Sequence, residues 1–301
     1  MKYICAQPAT QYFGWQIDVM LYSFRTVGVN LEDVHIVCAI HNEIDPYFDK
    51  LMRKYPGVVF SFYEDTRDFK GYIPSIKQHL LHKHYLSFPE LESETVLLTD
   101  SDICLTRPID FTGILEDKVW YVSDTISYIG YDYIISKGED IAKPMFEIAG
   151  INENLVKSMQ GGSGGAQYLY KNVSASFWKD VVDMTHELYI KMSVISGEKE
   201  KRDKEYFPLQ IWTCEMWAML WVAWKQGQIT AVSKNLDFCW ATDPIKNWDN
   251  RSIFHNAGVT DENSGMFFKG KYIADFPDLN LEISRERCSY RYYGILQQSL
   301  I

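Results

Sequence analysis

Several common signatures are missing from this sequence of 301 residues. No C-x-x-C pair occurs among its 6 cysteines, Cys5, Cys38, Cys104, Cys214, Cys239 and Cys288, which argues against a thiolate zinc site or a redox dithiol. Most of these cysteines sit in apolar runs, as buried free thiols of a reducing compartment do. No 18-residue apolar span is present, so no membrane-spanning helix is predicted, and the apolar run at the amino terminus is too short for a signal peptide. A soluble, cytoplasmic protein is the expectation. Basic residues are in the minority, 30 against 40 acidic, and a net charge of −10 sets the overall field against polyanions. The clearest basic stretch, Glu198 to Glu205, is interleaved with acids and reads as a solvated loop or frayed helix. A P-loop is absent too: the glycine cluster Gly161-Gly162-Ser163-Gly164-Gly165 lacks the terminal Gly-Lys-Ser/Thr.

Aromatics, by contrast, are abundant, with 9 Trp, 20 Tyr and 16 Phe. Such a load suits either a dense core or a site that stacks flat ligands and sugar faces. Strand-like and helical patterns alternate through the first half. Strands are predicted at 3–6, 34–40, 58–62 and 95–99, and helices at 13–27, 46–55 and 74–85. This order predicts an α/β fold with a mainly parallel central sheet flanked by helices. The second half is less regular. It offers strands near 119–123 and 166–170, a helix at 177–192, a buried helix at 209–224, and short late strands or loops at 237–243 and 253–255. No internal repeat, linker or domain boundary is evident, so one catalytic domain over 1–301 is expected, with 259–301 as a carboxyl-terminal extension packed on it.

The stretch LLTDSDICL at 97–105 carries the sharpest chemical signal. A buried strand ends in Asp100-Ser101-Asp102, and ligands of open α/β sheets bind beyond the carboxyl ends of strands. Two carboxylates at i and i+2 suit a hard cation such as Mg²⁺ or Mn²⁺ that also takes diphosphate oxygens; the alternative is an ordinary Asp/Ser turn. His255, in IFHNAG, is an imidazole ligand suited to Mn²⁺ or a hydrogen-bonded structural residue. His79, His82 and His84 form a competing cluster read as a solvated face. The glycine cluster permits close approach of a ligand to its amides, or forms a flexible hairpin. Glu215 stands in a Trp-rich apolar helix, where a carboxylate is costly unless it is functional or paired with a Lys or Arg.

Taken together, YFGWQIDVMLYSF (12–24), LLTDSDICLTRPI (97–109), GGSGGAQYLYKN (161–172), WTCEMWAMLWVAW (212–224) and IFHNAG (253–258) resemble a glycosyltransferase of the GT-A (nucleotide-diphospho-sugar transferase) fold. More narrowly they resemble the peptidyl-serine galactosyltransferase and hydroxyproline arabinosyltransferase group, and similar proteins encoded by bacteriophages and large viruses. The resemblance implies that Asp100 and Asp102 hold metal and diphosphate, with Ser101 at the donor and His255 as third metal ligand. It makes Glu215 an active-site acid near the sugar, places Gly164 and Gly165 in a donor or acceptor loop, and puts Lys77 near the donor. The expected donor is a nucleotide sugar, most simply a UDP-sugar, with Mn²⁺ or Mg²⁺ as cofactor and transfer with retention. The acceptor hydroxyl is one on a protein, a glycan or a hydroxymethylated DNA base. Nucleotide-sugar hydrolysis, nucleotidyl transfer and metal-free carbohydrate binding stand as alternatives.

Overall fold

A computed structural model describes residues 1–301. Its first half is β1 (Lys2–Pro8), α1 (Gln11–Thr26), β2 (Val34–Ile40), α2 (Tyr47–Lys54), β3 (Val59–Glu64), α3 (Ile76–Ser87), β4 (Thr95–Thr99), β5 (Ile103–Leu105) and β6 (Trp120–Asp124). There follow α4 (Ile126–Ile129), α5 (Tyr131–Ile135), α6 (Glu139–Ala149), α7 (Glu153–Ser158), β7 (Gly164–Lys171), α8 (Ala175–Arg202) and α9 (Cys214–Lys225). The chain closes with β8 (Thr230–Val232), β9 (Phe238–Trp240), β10 (Ile253–His255) and α10 (Cys288–Leu300).

The predicted α/β class is present. Seven strands form one sheet in the order β3-β2-β1-β4-β7-β6-β8, and a second sheet has the order β5-β10-β9. β1–β2, β2–β3 and β6–β8 pair parallel, while β6–β7 is antiparallel. β2 (VHIVCAI) is buried along nearly its whole length, as a strand covered on both faces must be.

The chain divides into two compact units, both discontinuous in sequence. Unit one takes residues 1–64, 98–112 and 235–301. Its core joins Trp15 and Val19 of α1 to Cys104, Phe254, Phe267, Tyr292 and Leu296. Residues 259–301 therefore supply core side chains of this unit. Asp18, fully buried on α1, is satisfied by the hydroxyls of Tyr47 and Tyr55 at 2.5 and 2.7 Å and by Lys54 Nζ at 2.7 Å, which is how a buried carboxylate becomes tolerable.

Unit two takes residues 65–97 and 113–234. Trp178, Trp217 and Trp221 are fully buried in it, and the Tyr85 and Tyr170 hydroxyls meet at 2.8 Å. α8 begins where Ser174 Oγ accepts the Phe177 N–H at 3.3 Å, and it runs on through Glu198 to Arg202. Of the stretch Glu198 to Glu205, expected as a solvated loop or frayed helix, residues 198–202 are the largely exposed last turn of this helix and 203–205 lie beyond it. Lys199 anchors it by bonding Asp140 Oδ1 at 2.5 Å and the Lys137 carbonyl at 3.0 Å, and Lys199, Lys201 and Arg202 complement the negative end of the dipole.

The histidines of α3 form a solvated face only in part. His84 is fully buried, His82 Nδ1 contacts the Ala175 carbonyl at 2.8 Å, and His79 Nε2 contacts Thr66 Oγ1 at 3.3 Å. Burial, reinforced by the charge of Lys83, pulls the His79 pKa down from 6.5 to about 4. A histidine whose folded pKa is depressed binds its proton more readily in the unfolded chain, so stability falls as pH drops from about 6.5 through about 4. Thermal unfolding across that window is expected to show the loss, and His79→Gln to flatten it.

Candidate functional site

Register builds the first site, which lies wholly in unit one. β4 ends at Thr99, the chain turns through Asp100 to Asp102, and β5 starts at Ile103. β10 pairs antiparallel with β5, setting His255 opposite Ile103, and the Asn256 N–H bonds the Asp102 carbonyl at 2.8 Å. β10 also pairs parallel with β9, so His255 faces Trp240. The two rings stack at 5.5 Å and 15°, with Phe238 edge-on to the imidazole at 5.3 Å. The imidazole is thereby fixed in orientation, its Nε2 3.3 Å from Asp102 Oδ1 and its buried Nδ1 without a partner.

Asp100, Asp102 and His255 bring one ligand atom each to within 4.8 Å of one another. Two carboxylate oxygens and an imidazole nitrogen form a donor set that suits Mn²⁺, and Mg²⁺ with more of its waters retained. Asp102 is 7% exposed and Ser101 2% exposed. Burial alone would raise the Asp102 pKa, but the Lys269 ammonium and His255 overcome it and hold the carboxyl well below the usual carboxylate range. Lys269 bonds Asp102 Oδ2 directly. Burial works against its charge, and the neighbouring carboxylate more than restores it, leaving the Lys269 pKa raised. Asp102 is therefore held as a carboxylate, paired with Lys269 and His255. Lys269 did not emerge from the sequence, where it stands 167 residues from its partner in a stretch with no periodic signal.

A second polar cluster lies wholly in unit two. Glu215, in the first turn of α9, is 9% exposed. Its Oε2 accepts Gln78 Nε2 at 2.9 Å, and Lys77 Nζ lies 3.6 Å from Oε1. The lysine partner weighed from sequence is thus present. Gln78 is fully buried with Oε1 unpaired. The Tyr72 hydroxyl accepts the Glu215 N–H at 3.4 Å and donates to the Trp212 carbonyl at 2.6 Å.

Gly164 and Gly165 are buried in β7 rather than exposed in a hairpin. A Cβ on Gly164 would fall 2.3 Å from the Ser123 carbonyl oxygen, so backbone packing requires glycine there, whereas one on Gly165 would fall 2.2 Å from the flexible tip of Met216, which could give way. The following residue, Ala166, takes φ of +67°, a strained value for a side-chain-bearing residue.

No family model and no curated protein sequence matches the chain. Among solved structures it is similar to an active-site mutant of LgtC, at 12% identity over 90% of this chain and 93% of that one, with a TM-score of 0.49. It is similar to the WbbM bifunctional glycosyltransferase at 11% identity and a TM-score of 0.45, covering 86% of this chain but spanning only 46% of WbbM. It is also similar to mouse xyloside xylosyltransferase 1, at 11% identity over 85% of this chain and 96% of that one, with a TM-score of 0.43. No residue role passes from these proteins to this chain. No helix is long and apolar enough to cross a membrane.

Proposed function

We propose that this chain is a metal-dependent glycosyltransferase of GT-A type, moving a sugar from a nucleotide sugar, most simply a UDP-sugar, to an acceptor hydroxyl with retention. The observation that carries the reading is the convergence of Asp100, Asp102 and His255 at the carboxyl end of a buried strand. These three residues would hold Mn²⁺ or Mg²⁺, which supplies charge neutralisation for the departing nucleoside diphosphate. His255 is oriented for this by Trp240 and Phe238, and Ser101 lies within the same turn. Lys269 adds positive charge beside the acids. Glu215 is assigned to the sugar: a carboxylate held by Gln78 and Lys77 can bond a hydroxyl or stabilise developing positive charge. Lys77 is assigned to the donor side and β7 around Gly164 and Gly165 to the wall of the sugar site. Single-domain action over 1–301 in the cytoplasm completes the proposal, with protein, glycan and hydroxymethylated DNA as acceptor classes.

Titration calorimetry with UDP, GDP and CDP, each with and without Mn²⁺, tests it. One nucleotide is expected to bind only with the metal, and chelation by EDTA to reverse the binding. If none binds under any condition, the acid pair is a turn and the glycosyltransferase reading falls.

A further inference from the structure

Of the tryptophans, Trp15, Trp178, Trp217 and Trp221 are fully buried, whereas Trp212 is 59% exposed. Single exposed apolar side chains are ordinary, as Phe207 at 70% shows, so the indole gains meaning only from the ring stacked on it. Tyr128 lies against it, ring centroids 6.2 Å apart at 29°, so the two present a stacked aromatic face. The backbone that carries Trp212 is tied to that of Glu215: Trp212 precedes it by about one helical turn, and the Tyr72 hydroxyl bonds both the Trp212 carbonyl and the Glu215 N–H. Tyr72 is itself fixed by stacking on Tyr189 at 4.4 Å and 27°. All of these residues belong to unit two.

We propose that Trp212 and Tyr128 form an acceptor subsite and that its occupant is a neutral carbohydrate, one face of a pyranose ring lying on the indole. The proposal rests on the glycosyltransferase reading for the word acceptor, but not for the binding itself. A flat, partly exposed aromatic face is what the apolar face of a pyranose ring needs, and a carboxylate a turn further along the chain is a candidate acceptor for its edge hydroxyls. Glu215 supplies such an acceptor with 12% of its side chain exposed, and Gln78 holds it in place. Charge argues against single-stranded nucleic acid, the other ligand that stacks on aromatics. The turn carrying Tyr128 starts at Asp124, whose Oδ1 accepts the Ile126 N–H at 3.1 Å, and the chain as a whole carries −10. Phosphates would meet that repulsion; a neutral glycan does not.

The test is calorimetry of the full chain against maltose, cellobiose, lactose and an oligo-dT strand, with UDP and Mn²⁺ titrated into the same preparations. At least one neutral oligosaccharide is expected to bind, about tenfold more weakly to Trp212→Ala and close to normally to Trp212→Phe. UDP affinity is expected to be equal in all three proteins. No oligosaccharide binding, binding indifferent to Trp212→Ala, or tighter binding of oligo-dT would each overturn the subsite. Nucleotide binding that persists in those cases leaves the glycosyltransferase reading standing. Oligosaccharide binding at Trp212 without any nucleotide binding supports the subsite and removes that reading.

Discussion

Asp102→Ala is expected to abolish metal-dependent nucleotide binding, to cut transfer by at least about a thousandfold, and to lower the melting temperature. Two separable effects are combined in this variant. Asp102 is one of three converging ligands, so its loss removes a donor oxygen and a negative charge from the cation site. It is also the counter-ion of Lys269, whose side chain is only 26% exposed. Removing one partner of a buried pair strands the other, at a cost of about 3 kcal/mol. The double variant Asp102→Ala/Lys269→Met should therefore recover most of the lost stability and none of the binding. Thermal denaturation and nucleotide calorimetry on the two variants read the effects apart. Metal-dependent binding that survives in either variant would sink the assignment of Asp102 as a ligand.

The residues of that first site were legible to different degrees, for physical reasons. Asp100 and Asp102 interrupt an apolar strand, and charge in such a place needs a cause that sequence can register. His255 was marked by a short apolar run, and the β10–β5 register that brings it to Asp102 fits that pattern. Lys269 carried no mark, because one lysine in a polar connection looks like any other until the fold closes. Glu215 was visible as an acid in an apolar helix, but Tyr72 and Gln78, which hold it, were not. The fold shows the same contrast. β1, β2 and β4 are substantially buried strands and read to within a residue or two. The segment from Ile126 to Ser158 held no predicted element yet forms four short helices. In α6 the apolar set Ile141, Ala142, Met145, Phe146 and Ala149 keeps helical spacing, but Pro144 in its interior reads as a breaker. Packing of that apolar face outweighs the local penalty.

Glu215→Gln is expected to lower the transfer rate about a hundredfold or more while leaving UDP–Mn²⁺ affinity unchanged. The substitution keeps shape and an oxygen for Gln78, and removes only the charge. If Glu215 acts on the sugar, the loss should appear in kcat, because a charge that steadies the transition state contributes little to nucleotide binding. If it serves only as the partner of Lys77, 3.6 Å away, the loss should appear in stability instead. Pairing the change with Lys77→Met separates these cases, since neutralising both partners relieves the stranded ammonium. A low kcat in the single variant, in which Lys77 is intact, together with a melting temperature restored in the double, places the carboxylate in the chemistry. A single variant that turns over within about twofold of the parent, with a lowered melting temperature that the double restores, makes Glu215 a structural ion-pair member. The sugar site would then have to be built from other groups.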